Sequence, residues 1–205
     1  MRDLDRALAD ISRIREQLAA GTMFRGFGPM VMAATGALAL LTATAQSVWP
    51  ATFAASAESY LYTWTATAVL ACILIGFEMV ARSKRHHGGL ADQMIFNAVE
   101  LFLPAGFAGA ALTGVVLRFA PEAAWMLPGL WQLLVALGLF AAVRMLPRTI
   151  AIAAGWYFVA GIAVLIIASA DKALAPWLMG LPFAVGQMLI AVVLHFASGE
   201  DNGET

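Results

Sequence analysis

Few side chains in this sequence are equipped for chemistry in an apolar setting: a handful of carboxylates and amides, an imidazole and an arginine. Glu78 lies one turn before Arg82, and Glu100 lies three residues after Asn97, on one helical face. Pro104 follows Glu100 by four residues, so the Glu100 carbonyl loses its helical donor and a hydratable notch is expected there. Arg144 and His195 stand at the ends of two apolar runs. Ionisable groups at membrane depth are costly and default to functional candidates. Glu78, Asn97, Glu100, Arg144 and His195 are therefore the candidate polar vestibule, with a buried Glu100 carboxylate paired to Arg144. The competing reading is snorkelling, in which long side chains near helix ends reach the interface and form no site. Glu100 is the strongest of the five, being deeper and having its own proline.

Two amides, Gln132 and Gln187, occupy matching places in two apolar runs and form a candidate outer polar pair. Packing is the preferred role, because membrane amides find partners on neighbouring helices. The series Gly106, Ala110, Gly114 is a small-residue stripe that permits close helix approach. His86-His87 with Asp92 nearby does not complete a metal shell, so no metal or cofactor is expected. Nucleophile triads, HExxH and phosphate-binding glycine loops are missing, which reads as a non-enzyme.

These residues sit in a chain of 205 residues that is 61% apolar and 12% charged, far from the composition of a soluble globule. Acidic and basic residues nearly cancel, 13 against 12, so no basic surface invites direct nucleic-acid binding. A single cysteine, Cys72, excludes a disulfide scaffold. Hydrocarbon about 30 Å thick needs about 20 helical residues. Six such runs occur, at 27–48, 60–81, 95–119, 124–143, 150–170 and 178–197. The expected fold is an all-α integral membrane protein: a six-helix bundle over 23–198, built as three antiparallel hairpins, with a disordered cytoplasmic tail at 199–205. Of the 12 Lys and Arg, only Arg118 and Lys172 fall on the far side if the N-terminus is cytoplasmic. The positive-inside rule then places both termini inside, in a bacterial inner membrane. Trp49, Tyr60, Tyr62, Trp64, Trp125, Trp131 and Trp177 gather at the predicted outer ends, as an aromatic belt would. Residues 1–20 are charged throughout, so no cleavable leader is expected.

Residues 1–22 predict a cytoplasmic amphipathic helix. Leu4, Leu8, Ile11, Ile14 and Leu18 form one stripe, and four acids balance four arginines on the polar face. Membrane-surface helices usually carry excess Lys and Arg, so this stripe suits docking on protein: the bundle itself, a second copy, or a cytosolic partner. An internal repeat is also legible, since QLLVALGLFAA from Gln132 aligns with QMLIAVVLHFA from Gln187. It suggests three copies of a hairpin.

LPGLWQLLVALGLFAAVRMLPR, the WYFVAG of the fifth span and PWLMGLPFAVGQ before the sixth resemble a group of short six-span bacterial membrane proteins with no assigned activity. The resemblance covers most of the chain from Phe24 onward. Such proteins often accompany small winged-helix DNA-binding regulators, which implies a membrane component of a signal-responsive pair.

The leading expectation is a membrane-embedded binding or regulatory protein that holds a membrane-borne ligand and engages a cytosolic protein or a second copy. A small carrier or channel is the alternative, motivated by the hairpin repeat and the Glu100 notch. Carriers place polar sites at the midplane, whereas here the ionisable groups lie toward the span ends.

Overall fold

The computed structural model describes residues 27–86 and 91–199. Over these residues the chain is all-helical, with six helices long and apolar enough to cross a membrane. It is a multi-pass, all-α membrane protein. The helices are α1 (Pro29–Val48), α2 (Ala57–His86), α3 (Ala91–Phe119), α4 (Leu127–Ala142), α5 (Ile150–Asp171) and α6 (Pro176–Gly199). The stripe Leu4, Leu8, Ile11, Ile14, Leu18 and the tail beyond residue 199 lie outside the described residues. Six crossings put the start of α1 and the end of α6 on one side, termed proximal; the α1–α2, α3–α4 and α5–α6 connections form the distal side.

Proline sets most boundaries. Pro29 opens α1, where its fixed φ suits the first turn and its missing N–H is no loss. Pro50 begins a one-turn helix, Pro50–Phe53, immediately beyond α1. Ser56 and Ser59 then cap each other: the Ser59 hydroxyl accepts the Ser56 N–H at 2.8 Å, and the Ser56 hydroxyl accepts the Ser59 N–H at 3.1 Å. Pro121 opens a 3-10 turn, Pro121–Met126, that feeds α4. α5 ends at Lys172, which adopts left-handed φ of 50° and returns its N–H to the Ala168 carbonyl. On the proximal side α2 and α3 run past the expected 60–81 and 95–119, because their charged extensions remain helical in the headgroup and aqueous layers.

The helices close into a ring in chain order, with α6 returning to α1. The closest approaches are α1 on α6 and α4 on α5, and both run through glycine. A Cβ on Gly36 would stand 3.2 Å from the Ala184 carbonyl oxygen, and one on Gly180 would stand 3.3 Å from that of Ala39. Between α4 and α5, a Cβ on Gly129 would meet the Gly161 carbonyl oxygen at 2.8 Å, and the reverse distance is 2.9 Å. Missing side chains let these backbones touch and gain dispersion contact, the main attraction available between helices in lipid. Consecutive helices are neighbours, as antiparallel hairpins require, but the tightest pairs cross the hairpin boundaries. A threefold hairpin repeat would make the three hairpins equivalent, and this packing gives it no support.

The Gly106, Ala110, Gly114 stripe does not act as expected within the chain. Cβ atoms on Gly106 or Gly114 would meet nothing within 4 Å. The stripe lies on the outward side of α3, opposite the row that packs on α4. The shares of α2 and α3 buried in the bundle are correspondingly low, 11% and 6%, against 39–44% for the other four helices. Four helices make the core and two are laid against it.

Candidate functional site

The expected vestibule does not assemble. Glu78 is half-buried and pairs with Arg82 of its own helix at 3.6 Å. Its carboxylate also lies against Gly28, the residue preceding α1, where a Cβ would stand 2.6 Å from Oε1. A carboxylate at a helix N-terminus is favoured by the unpaired N–H groups there, so Glu78 ties α2 to the start of α1. Asn97 is half-buried, whereas Glu100, Arg144 and His195 are exposed. His195 turns its ring against Phe196, with centroids 5.8 Å apart.

Glu100 and Arg144 are not paired, and geometry explains why. Ala98 and Phe102 face the bundle, and Glu100, two residues from each, leaves the opposite side of α3. The depth also differs from expectation. Phe102 packs edge-on against Phe27, which precedes α1, and Ala98 and Phe102 share a depression with Ala142 and Leu146 at the end of α4. Glu100 is therefore level with the proximal rim, within reach of the headgroups, because α3 begins lower than its apolar run suggests.

The polar groups that do come together are amides, hydroxyls and one phenol. Pro182 lacks an N–H, so the Leu178 carbonyl has no helical donor; Gln132 supplies one from α4 at 3.0 Å. Gln132 is fully buried and its Oε1 has no partner. Gln187 does not meet Gln132. Its Oε1 accepts from the Thr35 hydroxyl of α1 at 3.2 Å, and its side chain lies at the Tyr157 hydroxyl of α5. Tyr157, fully buried, donates to the Phe183 carbonyl at 3.3 Å, while Trp156 donates to that of Pro182 at 2.9 Å. Gly186 makes room for the Tyr157 ring. The expected outer pair is thus two separate interhelical bonds, one toward the distal side and one at mid-depth.

A distal network was not anticipated. Gln46, 1% exposed, donates to the carbonyls of Phe53 at 3.1 Å and Tyr60 at 3.2 Å and accepts the Trp64 indole N–H at 2.8 Å. The Tyr60 hydroxyl continues to the Ala175 carbonyl at 3.3 Å. Tyr60 and Trp64 are therefore buried struts, while Trp49, Tyr62 and Trp177 keep the exposure of a belt. Trp131 likewise donates to Thr113 of α3 at 2.9 Å, and Thr42 shares a hydrogen bond with Thr67 of α2 at 2.8 Å. Gln46 is the same residue type as Gln132 and Gln187 and lies inside an apolar run, so the amide criterion reaches it as readily.

No family model, curated protein or solved structure matches the chain.

Proposed function

We propose that the chain is a non-enzymatic, membrane-embedded binding and regulatory protein of a bacterial inner membrane. Its six helices anchor it, and its N-terminal segment, with the stripe Leu4, Leu8, Ile11, Ile14 and Leu18, engages a cytosolic protein, such as a winged-helix regulator, or a second copy. One observation carries the reading: backbone contact at glycine locks α1 to α6 and α4 to α5, and Gln132, Trp156 and Tyr157 hydrogen-bond the second pair to α6. Such a core suits a fixed scaffold better than the alternating opening a carrier needs. The orientation is supported by Arg82, Lys84, Arg85, Arg144 and Arg148 on the proximal side, which is then cytoplasmic, against Arg118 and Lys172 on the distal side.

The test is reconstitution of the full chain in liposomes with imposed proton, sodium or potassium gradients, alongside crosslinking of full-length protein and protein lacking residues 1–22. The reading expects no protein-dependent flux and loss of crosslinked species on truncation. Flux that Glu100→Gln abolishes would replace it with a carrier.

A further inference from the structure

An apolar depression of about 170 Å³ opens at the proximal rim, at the level where α4 ends. α3 supplies Leu101 and Phe102 to its wall, α4 its last residue, Ala142, and the following turn Met145 and Leu146. Phe27, immediately before the N-cap of α1, closes the remaining side, edge-on to Phe102 with ring centroids 6.4 Å apart. Every side chain in the wall is apolar, yet Phe27, Leu101, Phe102 and Met145 are only half-buried. Size limits the occupant. Small-molecule sites run to roughly 300–1,000 Å³, so this depression is too small to enclose such a ligand and suits one side chain, as a hole takes a knob between packed helices.

We infer that the depression is the docking site of this chain's own N-terminal segment, which seats one residue of the stripe Leu4, Leu8, Ile11, Ile14, Leu18 in it and is held back from other partners by that contact. The inference rests on the reading of the stripe as a protein-docking face and adds its regulation: a partner must displace the rim. The path of the chain supports it. Phe27 is itself part of the wall, and Leu18 precedes it by nine residues, a reach of at most about 30 Å, so the stripe cannot leave the neighbourhood of the rim. A short tether gives an effective concentration on the order of millimolar, which favours a chain's own rim over that of a second copy. Charge agrees. Arg144 and Arg148, next in the chain to Met145 and close to Leu146, are exposed and have no ion-pair partner among the described residues, and no acid occurs between Glu122 and Asp171. The segment brings four acids, Asp3, Asp5, Asp10 and Glu16, on the polar side of its stripe. A helix suited to anionic lipid would carry an excess of Lys and Arg instead.

The experiment uses the full chain in phosphatidylethanolamine–phosphatidylglycerol liposomes, with Cys72→Ser removing the native thiol. Leu8→Cys, Ile11→Cys or Ile14→Cys is paired with Met145→Cys, the membranes are mildly oxidised, and disulfide-linked peptides are followed by mass spectrometry. At least one stripe cysteine should link about tenfold faster than Arg13→Cys, which a seated helix holds about 10 Å further from the rim. That rate should not change when the protein is diluted in lipid. Met145→Phe fills the depression and should slow linkage of the stripe to Leu101→Cys about tenfold or more, the worth of one apolar side chain returned to water. The Met145→Cys rates decide alone if the filled variant does not fold. Linkage that rises with protein density puts the stripe on a second copy and overturns the proposal, as does a stripe no faster than Arg13→Cys. Loss of partner crosslinks on removing residues 1–22 would, in either case, leave the regulatory reading standing. Concentration-independent linkage to Met145→Cys with no partner crosslink to lose would keep the docking site and overturn that reading instead.

Discussion

The Gln132 side-chain amide donates across 3.0 Å to the Leu178 carbonyl, the one that Pro182 deprives of its helical donor. A sequence-imposed defect in α6 is thus repaired from α4. Gln132→Leu strands that carbonyl, while Pro182→Ala gives the carbonyl back a helical N–H. The two changes should therefore couple by about 1–3 kcal/mol, with Gln132→Leu better tolerated in the Pro182→Ala background. The Gln132 Oε1, buried without a partner, adds to that tolerance because the substitution removes it. Thermal unfolding of the four variants in detergent measures the coupling; strict additivity refutes the repair.

At the proximal rim, Gly28 and Glu78 share one position in space. A Cβ at Gly28 would force the carboxylate away from the start of α1. Gly28→Ala should cost about 1 kcal/mol, and Glu78→Gln about 0.3–1 kcal/mol for the lost charge at the helix terminus. Once Glu78 has been displaced its charge no longer matters, so the double variant should lose less than the sum. Melting temperatures at low ionic strength make the comparison.

Glu100 and Arg144 provide the opposite case. Both are exposed and no ion pair joins them, so Glu100→Gln and Arg144→Gln should each stay within about 0.5 kcal/mol of the parent and add in combination. Coupling above that level would restore the pair the sequence suggests.

That suggestion fails for a physical reason. Hydropathy locates the apolar stretch of α3 but not how far the helix slides along its neighbours, and the Phe27–Phe102 contact shows α3 displaced toward the proximal side. Helix number, approximate ends and the breaking role of proline are legible, because span length and the missing proline N–H are properties of the chain itself. Which amide meets which carbonyl is not, since Gln132 and Gln187 have the same setting in sequence and different partners in space. Glycines pose the same problem. Gly106 and Gly114 look like a packing stripe and are open, whereas Gly129 and Gly161, with no stripe to mark them, carry the closest approach.

That difference gives the sharpest contrast. At Gly129 and Gly161 the added methyl meets a carbonyl oxygen of the opposing backbone at 2.8 and 2.9 Å, and a backbone does not swing aside as a side chain can. Gly129→Ala and Gly161→Ala should each cost about 1–3 kcal/mol through forced separation of α4 and α5. Gly106→Ala and Gly114→Ala add a methyl to open space and remove the entropic cost of glycine in a helix, so each should gain up to about 1 kcal/mol. Unfolding of the four single variants in one detergent separates the classes. The open stripe also bears on self-association. If a second copy covers it, Gly106→Ala and Gly114→Ala lose crosslinked dimer while their monomers gain stability; if lipid covers it, the gain appears with the dimer fraction unchanged. Destabilised monomers from both substitutions contradict the outward placement of the stripe, and with it the division of the bundle into a four-helix core and two helices laid against it.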